Sequence, residues 1–268
     1  MFPRIKHAVA ALAVVALITG PALAVPTTIV DTTAGNATVD GTINAGEYVG
    51  FSTGVGTGFG DVIGDGSELY VDSDLAGVAF GLSTGAGNLD NQMVIYIDST
   101  AGGFNDTASF DDNADPLRAA ISGLAADGTG NRSTLTFAPG FEADYAIGVE
   151  AGFAGLWQLV GPGSHSFVAS ADLAPTGDPA AGDFELIFDL SEIGLLPGES
   201  FTYVVTYLNA FDAFRSNEFH GVAVTPDANI GAGNFVMSDG DFNTFTTYEE
   251  PVDTDDDSWG AVKSLYEN

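Results

Sequence analysis

Apolar residues alternate with polar or small residues in this chain, and the period of two constrains its fold more than any other feature. Val78, Phe80 and Leu82 alternate with small residues, and the stretches 184–190 and 201–208 alternate over greater lengths. Successive side chains of a β-strand point to opposite faces of a sheet. These stretches therefore predict strands with one face in a core.

The remaining pattern predicts a sandwich of such strands. Shorter alternating segments occur at 68–72, 92–98, 133–138, 144–150, 156–160, 165–171, 219–224 and 242–248. Turn-forming pairs such as Asp65-Gly66 and Pro197-Gly198 separate them. We predict an all-β fold, an antiparallel β-sandwich of jelly-roll or immunoglobulin-like type, with one or two short helices at 116–124 and 190–196.

The first 24 residues have the pattern of an export signal. Arg4, Lys6 and His7 precede the apolar stretch 8–20, and Ala22-Leu23-Ala24 supplies the small residues that a signal peptidase accepts. A transmembrane anchor is the alternative, but a span needs about 20 apolar residues. We expect cleavage after Ala24 and a mature protein that is secreted or held at the cell surface without inserting into the membrane.

The rest of the chain divides into one domain and a tail. Residues 25–248 show no long linker and predict a single β-sandwich domain, whereas 249–268 begin with an acidic run. Trp259, Val262 and Tyr266 would share one face of a helix in that tail. Two interpretations stay open for this segment, a turn that docks on its own domain and a sorting element that another protein reads.

The charge excludes whole classes of partner. The sequence has 37 acidic and 6 basic side chains, and removal of the leader leaves 4 basic residues, so that 4 minus 37 gives a formal charge of −33. A protein that binds nucleic acids or anionic membranes needs clustered basic side chains. The absence of cysteine also excludes disulfides and thiolate metal sites. Either bound cations or a saline habitat would account for so many carboxylates.

Specific segments resemble a known group of sandwiches. Val39-Asp40-Gly41 through Glu47-Tyr48 is similar to the opening of carbohydrate-binding module family nine and of DOMON domains. The segments 94–98 and 143–147 resemble strands of that group in the same order. The resemblance implies an extracellular module that binds sugars or haem.

The resemblance also indicates which residues to consider for each ligand. Haem-binding members use an axial methionine with a histidine or lysine, and the candidates in the mature chain are Met93, Met237, His165, His220 and Lys263. No spacing among them favours a pair, so the ligand chemistry disfavours haem binding. Sugar-binding members hold a glycan between aromatic rings.

Aromatic residues are therefore the candidates for a ligand site. The wider set is Tyr48, Tyr70, Tyr96, Tyr145, Trp157, Tyr207 and Tyr248. From it we select Trp157, Tyr145 and Tyr96 as the predicted ligand-binding residues. The alternative for each ring is a place in the core.

An acidic loop suggests a bound cation. Carboxylates crowd the stretch 98–115, and calcium takes six to eight oxygen ligands. We predict a structural calcium site at Asp98, Asp106, Asp111, Asp112 and Asp115. A solvated acidic loop is the alternative.

Motifs for catalysis are weak. Gly-x-Ser-x-Gly occurs around Ser52 and around Ser83, but neither string precedes a helical pattern, and glycine-rich strand ends account for both. Glu218 and His220 have the chemistry for acid–base work, although a loop network accounts for them better.

We therefore expect a non-catalytic protein of the cell exterior that binds an extracellular glycan or matrix component. A structural or assembly protein of the envelope or matrix is the alternative, a haem-binding DOMON-like module is the next, and a glycan-acting enzyme is disfavoured.

Overall fold

A computed structural model describes residues 26–174 and 183–251 of the chain. The strands within them are β1 (Thr28–Val30), β2 (Gly50–Thr53), β3 (Glu68–Ser73), β4 (Gly77–Ser83), β5 (Gln92–Asp98), β6 (Thr134–Thr136), β7 (Tyr145–Glu150), β8 (Phe153–Gln158), β9 (Ser166–Ser170), β10 (Asp172–Ala174), β11 (Asp183–Asp189), β12 (Ser200–Asn209), β13 (Phe214–His220), β14 (Asn234–Val236) and β15 (Asn243–Thr246). One α-helix, α1 (Pro116–Ser122), and one 3₁₀ turn (Leu190–Ile193) accompany them.

Most strands belong to two sheets. The large sheet has the order β1-β15-β12-β5-β7-β8-β9, with β13 also paired to β12, and the small sheet has the order β10-β11-β4-β3-β2. Pairing is antiparallel throughout the small sheet, whereas β1 runs parallel to β15 in the large one. The short strands β6 and β14 form a separate parallel pair.

The two sheets face each other across the main core. Phe80, Leu82 and Leu186 of the small sheet belong to the same buried cluster as Ile95 and Val205 of the large sheet. These residues are the apolar members of the alternating segments. The predicted β-sandwich is therefore confirmed.

A third layer covers the other face of the large sheet. Leu117 and Ile121 of α1 and Leu135 of β6 pack there against Tyr96 and Val204. Both faces of the central strands are consequently buried, and β5 is apolar along nearly its whole length because of this second contact. Periodicity alone did not indicate this layer.

Local signals set the ends of the short helical segments. Asp115 caps α1 by accepting a hydrogen bond from the backbone N–H of Arg118, and Gly123 ends the helix in the left-handed region at φ 65°. Helical structure was predicted at both observed positions. The predicted strand 219–224 was wrong in its bounds, because β13 begins at Phe214 and stops before Gly221, whose φ of 84° breaks the strand.

Several predictions concern residues outside the described ranges. The export signal and its cleavage site lie there, as does the tail beyond Pro251. Within 26–174 and 183–251, no helix has the length and apolar character needed to cross a membrane.

Candidate functional site

Three aromatic rings form a row on the outer face of the small sheet. Phe51 on β2 pairs with Tyr70 on β3, and the next position across the sheet is Gly81 on β4. Tyr48, from the segment before β2, lies over this glycine, where an added Cβ would be 2.9 Å from Tyr48 Cζ. Ring centroids are 5.1 Å apart for Phe51 and Tyr70 and 5.7 Å apart for Tyr70 and Tyr48. We call Phe51, Tyr70 and Tyr48 the aromatic row.

The row is open to solvent at one end. Phe51 exposes 43% of its surface, while Tyr48 and Tyr70 are half-buried. The rings are tilted against their neighbours by 43° and 52°, so they present edges and faces rather than one flat plane.

A buried carboxylate on β11 holds Tyr48 in place. Glu185 lies beside Gly81 in the same cross-strand row and is fully buried. Its Oε2 accepts hydrogen bonds from the backbone N–H groups of residues 40–42 at 2.7–3.1 Å, and its Oε1 accepts one from the Tyr48 hydroxyl at 2.8 Å. These four donors satisfy the buried charge without a cation.

A second carboxylate closes the same segment on itself. Glu47 accepts hydrogen bonds from the backbone and hydroxyl of Thr38 and from the backbone and amide of Asn44. Burial acts to raise the pKa of Glu47, but these hydrogen bonds outweigh it and lower the pKa. The Asp-Gly and Glu-Tyr positions of the sequence motif thus dock the segment that presents Tyr48.

Both tyrosine hydroxyls of the row are anchored to glutamates. The Tyr70 hydroxyl donates to Glu68, as the Tyr48 hydroxyl does to Glu185. Burial and the Glu68 carboxylate raise the pKa of Tyr70 to about 12, and burial followed by the Glu185 hydrogen bond raises the pKa of Tyr48 well above its ordinary value. Both phenols therefore remain protonated donors, and the rings are held in fixed orientations.

A polar row runs beside the aromatic row on the same face. Its members, two residues along each strand, are Thr53, Glu68, Ser83 and Asp183. Asp183 Oδ2 also accepts a hydrogen bond from the backbone N–H of Ile43 at 3.3 Å. The outer face thus combines aromatic rings with adjacent oxygen groups.

The predicted ligand residues do not form this site. Trp157 pairs with Ala146 and Tyr145 pairs with Gln158, so Trp157 and Tyr145 point to opposite faces of the large sheet. Trp157 and Tyr96 share a face, but the third layer covers it and leaves them 5% and 0% exposed. A stacking role for Trp157 and Tyr96 is therefore corrected to a core role, and half-buried Tyr145 packs against the main core.

The predicted calcium ligands are used within their own loops. Asp112 accepts hydrogen bonds from the backbone N–H groups of Ala114 and His165, and Asp115 caps α1 and pairs with Arg118. Asp98, Asp106 and Asp111 each accept one backbone N–H. In the described part of the chain, no group of three or more acidic or histidine side chains is placed to hold a metal ion, and the calcium site stays a prediction.

A buried polar network occupies the end of the main core. His220 Nδ1 lies 3.2 Å from Ser52 Oγ, and its Nε2 lies 3.1 Å from Ser67 Oγ. All three residues are at most 2% exposed, so Ser52 of the first Gly-x-Ser-x-Gly string has a histidine partner but faces the interior.

Glu218 and His220, for which a hydrogen-bonded network was favoured over acid–base work, are both internal. Glu218 is fully buried and accepts hydrogen bonds from the backbone N–H groups of Phe59 and Ile63. Among the haem candidates, Met93 belongs to the main core and His220 is fully buried, and the rings of His165 and His220 each lie within hydrogen-bond distance of a serine. The glycine run 54–60 passes close to β13, because a Cβ at Gly56 would lie 2.0 Å from Asn217 O.

Sequence reasoning identified part of the aromatic row. Tyr48 and Tyr70 belong to the wider set of aromatic candidates, whereas Phe51 was missed. The available signal was the outward alternation of Phe51 and Thr53 around Ser52, in a segment too short to have been assigned as a strand.

Solved structures similar to this chain include two carbohydrate-binding proteins. One is a carbohydrate binding module of family 9 from Caldicellulosiruptor kristjanssonii in complex with cellotriose, at 9% identity and a TM-score of 0.38, with 85% of this chain and 97% of the module covered. The other is a candidate carbohydrate-binding protein from Bacteroides uniformis, at 7% identity and a TM-score of 0.33, with 83% and 97% covered. The first belongs to the family that the sequence motifs resemble. No protein-family model and no curated protein matches the sequence.

Proposed function

We propose that this chain is an exported, non-catalytic protein that binds glycans on the aromatic row. The observation that carries the proposal is the contiguous row of Phe51, Tyr70 and Tyr48 on an outer sheet face, beside a row of carboxylates and hydroxyls. Sugar rings have apolar faces that pack on aromatic rings and hydroxyls that bond to carboxylates, so the two rows match the two kinds of surface on a glycan.

Preorganisation supports this role. Glu68 and Glu185 fix the two tyrosine rings through their hydroxyls, and Gly81 leaves room for Tyr48 to lie against the sheet. A ligand that stacks on the row would order few side chains on binding, which favours affinity.

Export follows from the leader pattern rather than from the site. Residues 1–24 combine a basic start, an apolar stretch and a small-residue cleavage motif. A strongly acidic mature chain without cysteine is compatible with work at the cell exterior, where glycans of the envelope and matrix are accessible.

The test is retention of the mature chain on a panel of insoluble polysaccharides, followed by calorimetry with soluble oligosaccharides. We expect Phe51→Ala to weaken binding by about 5- to 30-fold, since an aromatic stacking contact contributes about 1–2 kcal/mol. Phe167→Ala is the matched control, because Phe167 is 56% exposed but lies on β9 of the large sheet. Failure to bind any glycan of the panel, or loss with Phe167→Ala instead of Phe51→Ala, would contradict the proposal.

A further inference from the structure

The aromatic row lies in a negative electrostatic environment. Glu68 contacts the Tyr70 hydroxyl, and Asp183 follows Ser83 across the polar row. The charges of both Glu68 and Asp183 contribute to the raised pKa of Tyr70, which places both carboxylates within electrostatic reach of its phenol. The hydrogen bonds described above use one oxygen of each carboxylate.

The cations of the described residues are committed elsewhere. Arg118 pairs with Asp115, with Nε 2.6 Å from Oδ2, and Arg132 donates to the carbonyl oxygens of Thr107 and Phe110. Arg215 is fully buried under the third layer. Over 26–174 and 183–251, these three arginines are all the basic residues other than histidine, so the carboxylates of the polar row have no arginine or lysine partner there.

We infer that the aromatic row selects glycans that carry protonated amino groups over neutral and anionic glycans. This inference rests on the proposed function and names the class of glycan. Aromatic faces attract a cation through their quadrupole, and unpaired carboxylates beside them attract it through charge. An amino sugar presents both an apolar ring face and an ammonium group, so it satisfies both rows at once.

Anionic glycans are repelled by the same carboxylates. A uronate or sulfate group on the row would face Glu68 and Asp183 without a cation to receive it, and like charges at that distance repel. Neutral glycans would stack on the rings without the added attraction.

The test compares oligosaccharides of β-linked glucosamine with fully N-acetylated oligosaccharides of equal length, by calorimetry at low ionic strength and at a pH where the amines are protonated. We expect the wild-type mature chain to bind the amino form about tenfold more tightly, the combined effect of two exposed charge pairs and one cation–ring contact. Raising the salt concentration should reduce this ratio and leave the acetylated form unaffected.

Variants separate the contribution of the polar-row carboxylates to binding from that of the overall negative charge. Glu68→Gln with Asp183→Asn should weaken binding of the amino form more than binding of the acetylated form, and should therefore bring the affinity ratio close to one. Glu142→Gln with Asp239→Asn is the matched control, because it removes two exposed carboxylates outside the row and should leave the ratio unchanged. Phe51→Ala should weaken both ligands.

The outcomes distinguish the two proposals. Binding of both forms with a ratio near one in the wild type overturns the amino-sugar inference and leaves glycan binding standing. The amino-sugar inference is also overturned if the affinity ratio falls equally in the site and control variants. It is overturned as well if Phe51→Ala does not weaken binding of the amino form. In either case the attraction would come from the whole acidic surface. Absence of binding to both forms and to the polysaccharide panel overturns the proposed function itself.

Discussion

Acidification should destabilise the fold through His220. This histidine is fully buried, and burial lowers its pKa from 6.5 to about 3, although a hydrogen bond from the charged ring to the Ser52 backbone carbonyl opposes the shift. The network also defines the proton positions. Because the Ser67 hydroxyl donates to Gly64 O at 2.7 Å, its oxygen accepts from His220 Nε2, which leaves Nδ1 to accept from the Ser52 hydroxyl.

The direction and size of the change in the free energy of unfolding follow from proton linkage. The pKa is lower in the folded than in the unfolded chain, so the unfolded chain binds more protons between pH 6.5 and about 3. The free energy of unfolding therefore falls as the pH drops through that window. At about 1.4 kcal/mol per pH unit, the loss between neutral pH and about pH 4 is about 3 kcal/mol.

Urea unfolding of the wild type and of His220→Gln at both pH values isolates this effect. Other titrating groups contribute to both proteins, so the wild type should lose about 3 kcal/mol more than the variant on acidification. Equal losses of the free energy of unfolding in the wild type and in His220→Gln would refute the assigned role of His220. Proton NMR offers a second measurement, because the His220 ring should not titrate above about pH 4.5, and an imidazole that titrates near its ordinary pKa would refute the assigned burial.

Three further substitutions test the packing and the site. Trp157→Ala should lower the free energy of unfolding by about 3–5 kcal/mol in urea titration, because it empties a core position, and should leave glycan affinity intact in the folded protein; lost affinity with unchanged stability would contradict its core role. Gly81→Ala should weaken glycan binding in calorimetry because the new Cβ collides with Tyr48, whereas Ser83→Ala on the same strand, as the control, should weaken it less. Glu218→Gln should cost about 1–3 kcal/mol in urea unfolding and speed hydrogen exchange at Phe59, since it replaces one acceptor oxygen by an amide donor; unchanged exchange would count against the described contact.

The outcome for individual residues shows where sequence reasoning succeeds. Val78, Phe80 and Leu82 were placed correctly because alternation in a single strand reports directly which side is apolar. Helical structure near Pro116 was also local, since Asp115 and Gly123 provide its cap and its end within a few residues.

Predictions that required knowledge of what lies above a sheet face were the ones that failed. Tyr96 and Trp157 have the residue types of a stacking platform, but α1 and β6 cover them, and nothing in β5 or β8 specifies that contact. The acidic loop holds enough oxygens for calcium, and calcium binding stays a prediction; that its carboxylates accept N–H groups of their own and neighbouring loops is determined only by the loop geometry.

The sequence by itself determined the β class, most strands of the two main sheets, the two short helical segments and the acidic, cysteine-free chemistry, because these depend on residue type and short-range periodicity. The tertiary structure decided which faces remain open. Phe51, Tyr70 and Tyr48 meet on one surface because strand register and the docking of residues 40–48 on Glu185 bring together positions up to about 145 residues apart. Such long-range pairings have no local signature in the sequence, and they alone separate an exposed ring from a buried one.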